Sequence, residues 1–161
     1  MTPTVEHIVA TGRPVDPVLR GGLIAGTIDI GAASLISHLN PLVILQAVAS
    51  GVLGKPSFHM GLSSAAIGLV LQWAMSLLIA AIYVGAARRL TILRRRWIGA
   101  GLAYGVVVYF VMTFVVVPLS AAKFAGKITV VSFAENLLAM LLFGLIVAFC
   151  ARSTAPQYAP R

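Results

Sequence analysis

A chain of 161 residues that is 60% hydrophobic and only 10% charged has too few charged side chains to coat a soluble domain, where about a quarter are charged. Twelve lysines and arginines against four acids leave a net charge of +8. On a membrane protein such residues sit at helix ends and meet anionic lipid, so the basic balance does not imply nucleic-acid binding.

Residues 1–20 are polar and contain Pro3, Pro14 and Pro17. They lack the basic-then-apolar order of a signal peptide and read as a short tail. The apolar run 21–39 follows directly and reads as a retained first span. It carries a carboxylate, Asp29, near its middle. On a helix, Gly22, Gly26, Asp29, Ala33 and Ser37 fall at i, i+4, i+7, i+11 and i+15, so they share one stripe. Small residues let a second helix approach closely, so the stripe, and Asp29 with it, is expected to face another helix.

Asn40-Pro41 stops this span and starts the next helix, Asn as cap and Pro as first helical residue. The run 41–53 is too short to cross: about 20 Å of helix against a hydrocarbon core of about 30 Å. It is expected to lie in the interface, or to dip in and return, on the outer side. The second span, 60–87, is the longest and carries Gln72 near its centre. Arg88, Arg89, Arg94, Arg95 and Arg96 then crowd one short loop. The third span, 97–117, ends at Pro118. It holds Gly101 and Gly105 in a G-x-x-x-G and the hydroxyls of Tyr104, Tyr109 and Thr113. A polar loop, 119–131, precedes the fourth span, 132–151, and a tail, 152–161, with Pro156 and Pro160, closes the chain. The predicted fold class is thus all-α and integral to the membrane: one domain over 21–151, with four transmembrane helices and one short non-spanning helix.

Orientation follows from the arginine loop, which belongs in the cytoplasm. With four spans both termini lie there too. All nine arginines then fall inside, and Lys55, Lys123 and Lys127 outside. A fifth span would break that agreement.

Depth along the spans gives the candidate sites. Counting helical rise, Gln72 and Tyr109 reach a level similar to that of Asp29. Asp29, Gln72 and Tyr109 therefore form a candidate intramembrane polar cluster. It serves either as a neutral interhelical clamp or as a proton or cation site, and the absence of a second acid or a basic partner at that depth favours the clamp. Gly22, Gly26, Ala33, Gly101 and Gly105 are candidate packing residues. Ser132 and Glu135 match S-x-x-E at the start of the fourth span and are expected to cap it. His38 and His59 are read as interfacial residues rather than metal ligands. Cys150, the single cysteine, excludes an intrachain disulfide and reads as a small buried hydrophobe.

Enzyme signatures are sparse. Gly99-Ala100-Gly101 with Gly105 misses G-x-G-x-x-G by one residue and has no strand before it. Gly61-Leu62-Ser63-Ser64 looks like the G-x-S-x of rhomboid proteases, but Ser63 lies too near the surface and the spans are too few. No enzymatic activity, cofactor or metal is expected. Partners are expected to be lipid, with anionic head groups at Arg88–Arg96, and a second copy or a larger membrane complex.

Three segments carry a resemblance. Gly22-Leu23-Ile24-Ala25-Gly26-Thr27-Ile28-Asp29-Ile30, Leu45-Gln46-Ala47-Val48-Ala49-Ser50-Gly51-Val52-Leu53-Gly54 and Val115-Val116-Val117-Pro118-Leu119-Ser120 resemble a group of small four-span bacterial inner-membrane proteins. More distantly, they resemble the YagU-like membrane proteins. The resemblance covers most of 21–152. It implies a bacterial inner membrane and carries no mechanism. The expected role is a structural or accessory membrane component, with a small oligomeric transporter or proton/cation-conducting unit using Asp29 as the alternative.

Overall fold

The four long apolar runs become four long helices. The computed structural model describes residues 15–121 and 130–152. Its principal helices are α1 (Val15–Ser37), α2 (Pro41–Leu53), α3 (Leu62–Arg89), α4 (Trp97–Leu119) and α5 (Val130–Ala151). Short helical turns at Lys55–His59 and Thr91–Arg95 join α2 to α3 and α3 to α4. No strand occurs among the described residues. Helices α1, α3, α4 and α5 are long and apolar enough to cross a membrane, the pattern of a multi-pass membrane protein.

The short helix has the ends its sequence predicts. Asn40 Oδ1 accepts from the Leu42 amide at 2.9 Å, and Pro41 takes the first helical position. Gly54 closes α2 at a φ of +70°, its N–H returning to the Ser50 carbonyl at 2.9 Å. A left-handed residue is cheap only for glycine.

Several boundaries differ from the sequence reading. Helix α1 is already formed at Val15, so residues 15–20 are helical rather than tail. Pro17 is tolerated there because first-turn N–H groups have no helical acceptor. Helix α4 continues through Pro118 to Leu119 instead of stopping before it. Just ahead of that proline, Met112–Val116 widens into a π-helical segment. Proline removes one donor and crowds the carbonyl four residues back, and a local π adjustment takes up the change. The rest of the tails, at 1–14 and 153–161, and most of the polar loop, at 122–129, lie outside the described residues.

Helix α5 packs between α4 and α1, and α1 packs on α3; α3 closes the bundle by also meeting α5 and, through Tyr104, α4, while α2 lies on α3 and touches α1. Small side chains make this possible. The core joins Ala25 of α1, Ala80, Tyr83, Val84 and Ala87 of α3, and Phe143, Val147, Ala148 and Ala151 of α5. Gly21 abuts Cys150, and Arg152 lies over Trp97. The start of α1, the arginine turn and the end of α5 therefore share one end of the bundle.

Candidate functional site: the interhelical contacts of the membrane interior

The stripe predicted on α1 faces α3. A Cβ on Gly22 would lie 3.0 Å from the Leu77 Cα, and one on Gly26 would lie 2.5 Å from Ser76 Oγ. At Gly22 the obstacle is the α3 backbone and at Gly26 the short Ser76 side chain, so neither position has room for a side chain of its own. One turn further, Gln72 Nε2 donates to Asp29 Oδ2 at 2.8 Å. Beside them Trp73 Nε1 points at Thr27 Oγ1 at 3.4 Å, and that hydroxyl donates back to the Leu23 carbonyl at 2.8 Å. The register runs antiparallel: Gly22 to Leu77, Gly26 to Ser76, Asp29 to Gln72. Asp29 and Gln72 are both half-buried. Further along the stripe Ala33 is half-buried, while Ser37 is exposed and donates to the Ala33 carbonyl at 2.6 Å.

Tyr109 is not placed with this pair. It is buried against α5, its ring edge-on to Phe133 at 5.2 Å and to Phe110 at 5.7 Å. Helices α1 and α4 share no packed face, because α5 lies between them. Depth alone put Tyr109 beside Asp29; lateral order separates them. Tyr104 is the α4 tyrosine that reaches α3. Its hydroxyl donates to the Ile79 carbonyl at 2.7 Å, and its ring meets Tyr83 at 5.0 Å. Five residues apart on a helix is about 140° of rotation, so the two tyrosines cannot share a neighbour.

The second glycine pair packs onto α5. A Cβ on Gly101 would lie 2.9 Å from both the Gly144 carbonyl and the Ala148 Cβ. On Gly105 it would collide with the Met140 carbonyl. Gly144 completes the contact from the other side, with Gly105 nitrogen 2.8 Å from where its Cβ would be. Sequence reading missed Gly144 because it has no glycine at four-residue spacing. Its signal was subtler: an isolated glycine inside a span, where alanine would be about 1 kcal/mol better for the helix, implies close approach.

A third contact, also unforeseen, fixes α2. A Cβ on Gly68 would collide with the Leu45 carbonyl. Around it buried side chains tie α2 to the connection that follows it. Gln46 Nε2 donates to the Gly61 carbonyl at 3.0 Å, Ser57 Oγ to the Gln46 carbonyl at 3.0 Å, and Ser64 Oγ to the Ser57 carbonyl at 2.5 Å. Ser63, the serine of the protease-like tetrad, is exposed.

Comparisons with protein-family models, curated proteins and solved structures return no match.

The remaining candidates lie at the ends of the bundle. Helix α5 is already formed at Val130, so Ser132 lies within its first turn rather than ahead of it. The Ser132 carbonyl accepts from Asn136 Nδ2 at 2.7 Å, and Glu135 is exposed. His38 and His59 are exposed too. Arg88 and Arg89 form the last turn of α3, and Arg94 and Arg95 close the short helix after it. Arg89, Arg95 and Arg96 are exposed, Arg88 and Arg94 half-buried.

Proposed function

We propose that this chain is a small bacterial inner-membrane protein with a structural or accessory role, its bundle supporting or regulating a larger membrane assembly. The observation that carries the reading is the engagement of Asp29 by Gln72 inside a glycine-lined contact. The titratable side chain of the first span is spent on joining α1 to α3. Such bonds average only about 0.6 kcal/mol in membranes, adequate to fix register between helices that already fit. The arginine-bearing end belongs in the cytoplasm, and with it both termini, because basic residues in short loops stay inside.

A second reading, a small oligomeric proton- or cation-conducting unit, draws on one fact: Asp29 is half-buried rather than sealed. Asp29→Asn separates the two. Asparagine accepts the same bond from Gln72 and cannot titrate. For the accessory role, the Asn protein folds, co-purifies with the same membrane partners in mild detergent and complements a deletion strain. Loss of an ion- or pH-dependent flux in liposomes, with folding intact, would replace the first reading by the second.

A further inference from the structure

Helix α5 is flanked by α1 on one side and α4 on the other, and its outward face forms the floor of a groove. Ile24 of α1, Trp97 and Ile98 of α4, and Leu145, Ile146, Phe149 and Cys150 of α5 line it, enclosing about 510 Å³. The walls are apolar. The rim is not. Arg20 lies one helical turn before Ile24 on the same face of α1 and directly precedes Gly21, which abuts Cys150. Arg152 stands at the opposite edge, its guanidinium 3.9 Å from the centroid of Phe149 and 5.5 Å from that of Trp97. Stacking occupies the face of a guanidinium and leaves its in-plane N–H donors free. Those donors match a phosphate.

We infer that this groove binds one anionic phospholipid, its phosphate held between Arg20 and Arg152 and the upper part of an acyl chain lying along Ile24, Ile98 and Ile146. An apolar trough that opens sideways within the span of the helices, closed at the polar end by two cations, is complementary to that amphiphile and to its charge. A zwitterionic lipid fits the trough but gains less at the rim. The arginines of the turn, Arg88–Arg96, are not among the residues that line the groove.

Trp97 makes the groove observable. In a Trp73→Phe background it is the sole tryptophan. The protein is reconstituted in phosphatidylcholine vesicles carrying a rising mole fraction of either phosphatidylglycerol or phosphatidylcholine brominated on the acyl chain, and Trp97 quenching is followed. Brominated phosphatidylglycerol should quench at the lower mole fraction. Arg20→Gln and Arg152→Gln should each reduce that preference roughly fivefold. Arg89→Gln with Arg95→Gln, removing two exposed charges from the arginine turn, should leave it unchanged. All four arginines are exposed, and helix content by circular dichroism verifies each fold. Equal quenching by the two lipids overturns the proposal. So does a preference that survives loss of both Arg20 and Arg152, or one that falls equally with Arg89 and Arg95, which would mark a general surface-charge effect.

Discussion

Gly144 of α5 lies so close to Gly105 of α4 that a Cβ on Gly144 would stand 2.8 Å from the Gly105 nitrogen and 3.0 Å from its Cα. Neither atom can swing away, since both are backbone. Gly144→Ala should therefore force the two helices apart, destabilising by about 1–3 kcal/mol, the usual scale of overpacking. Gly85→Ala is the control: nothing lies within 4 Å of its added Cβ, and alanine favours a helix. Thermal unfolding in detergent should show a lowered midpoint for the first variant and an unchanged or raised one for the second. Equal midpoints would mean that α4 and α5 do not touch along this line.

The bond between Gln72 and Asp29 should appear as coupling. Asp29→Leu leaves the Gln72 amide without its acceptor, at about 1–3 kcal/mol where the group is buried. Removing Gln72 as well, as Gln72→Leu, takes away the orphan. The double variant should thus be less damaged than the two single variants summed, by roughly 0.6 kcal/mol and at most about 1.7. Strict additivity in reversible unfolding would count against the contact.

Gly68 should decide whether α2 stays docked. An alanine Cβ there collides with the Leu45 carbonyl, which belongs to the helix backbone. Ala49 on α2 is fully buried, so a cysteine placed there, in a Cys150→Ser background, should resist a maleimide. Adding Gly68→Ala should expose it to labelling. If Ala49→Cys reacts as fast without Gly68→Ala as with it, α2 is not held where the structure puts it.

Topology is tested independently of any contact. Reporter fusions after Ala87 and at the C-terminus should give cytoplasmic signals, and one after Gly54 an external signal. A cytoplasmic signal at Gly54 would require α2 to cross the membrane, and the arginine ends would then fall on opposite sides.

Four helices long and apolar enough to cross a membrane, and one that is not, were legible in the residues alone, though the ends of α1, α4 and α5 were not. Length against bilayer thickness separates α2 from the four spans, and Asn40, Pro41 and Gly54 mark its ends by their own backbone preferences. Helical rise put Gln72 level with Asp29, and helical periodicity put Gly22, Gly26 and Asp29 on one face; all of these are properties of a single helix. The lateral arrangement was not legible there: that α5 lies between α1 and α4, that Tyr104 rather than Tyr109 meets α3, and that Gly144 and Gly68 are contact points. The local form of α4 around Pro118, and the early start of α5 that puts Ser132 inside its first turn, belong with these. Lipid tails are as apolar as leucine, so hydrophobic pattern does not tell a helix which face to turn inward. Close fit between two surfaces does, and fit is a property of a pair.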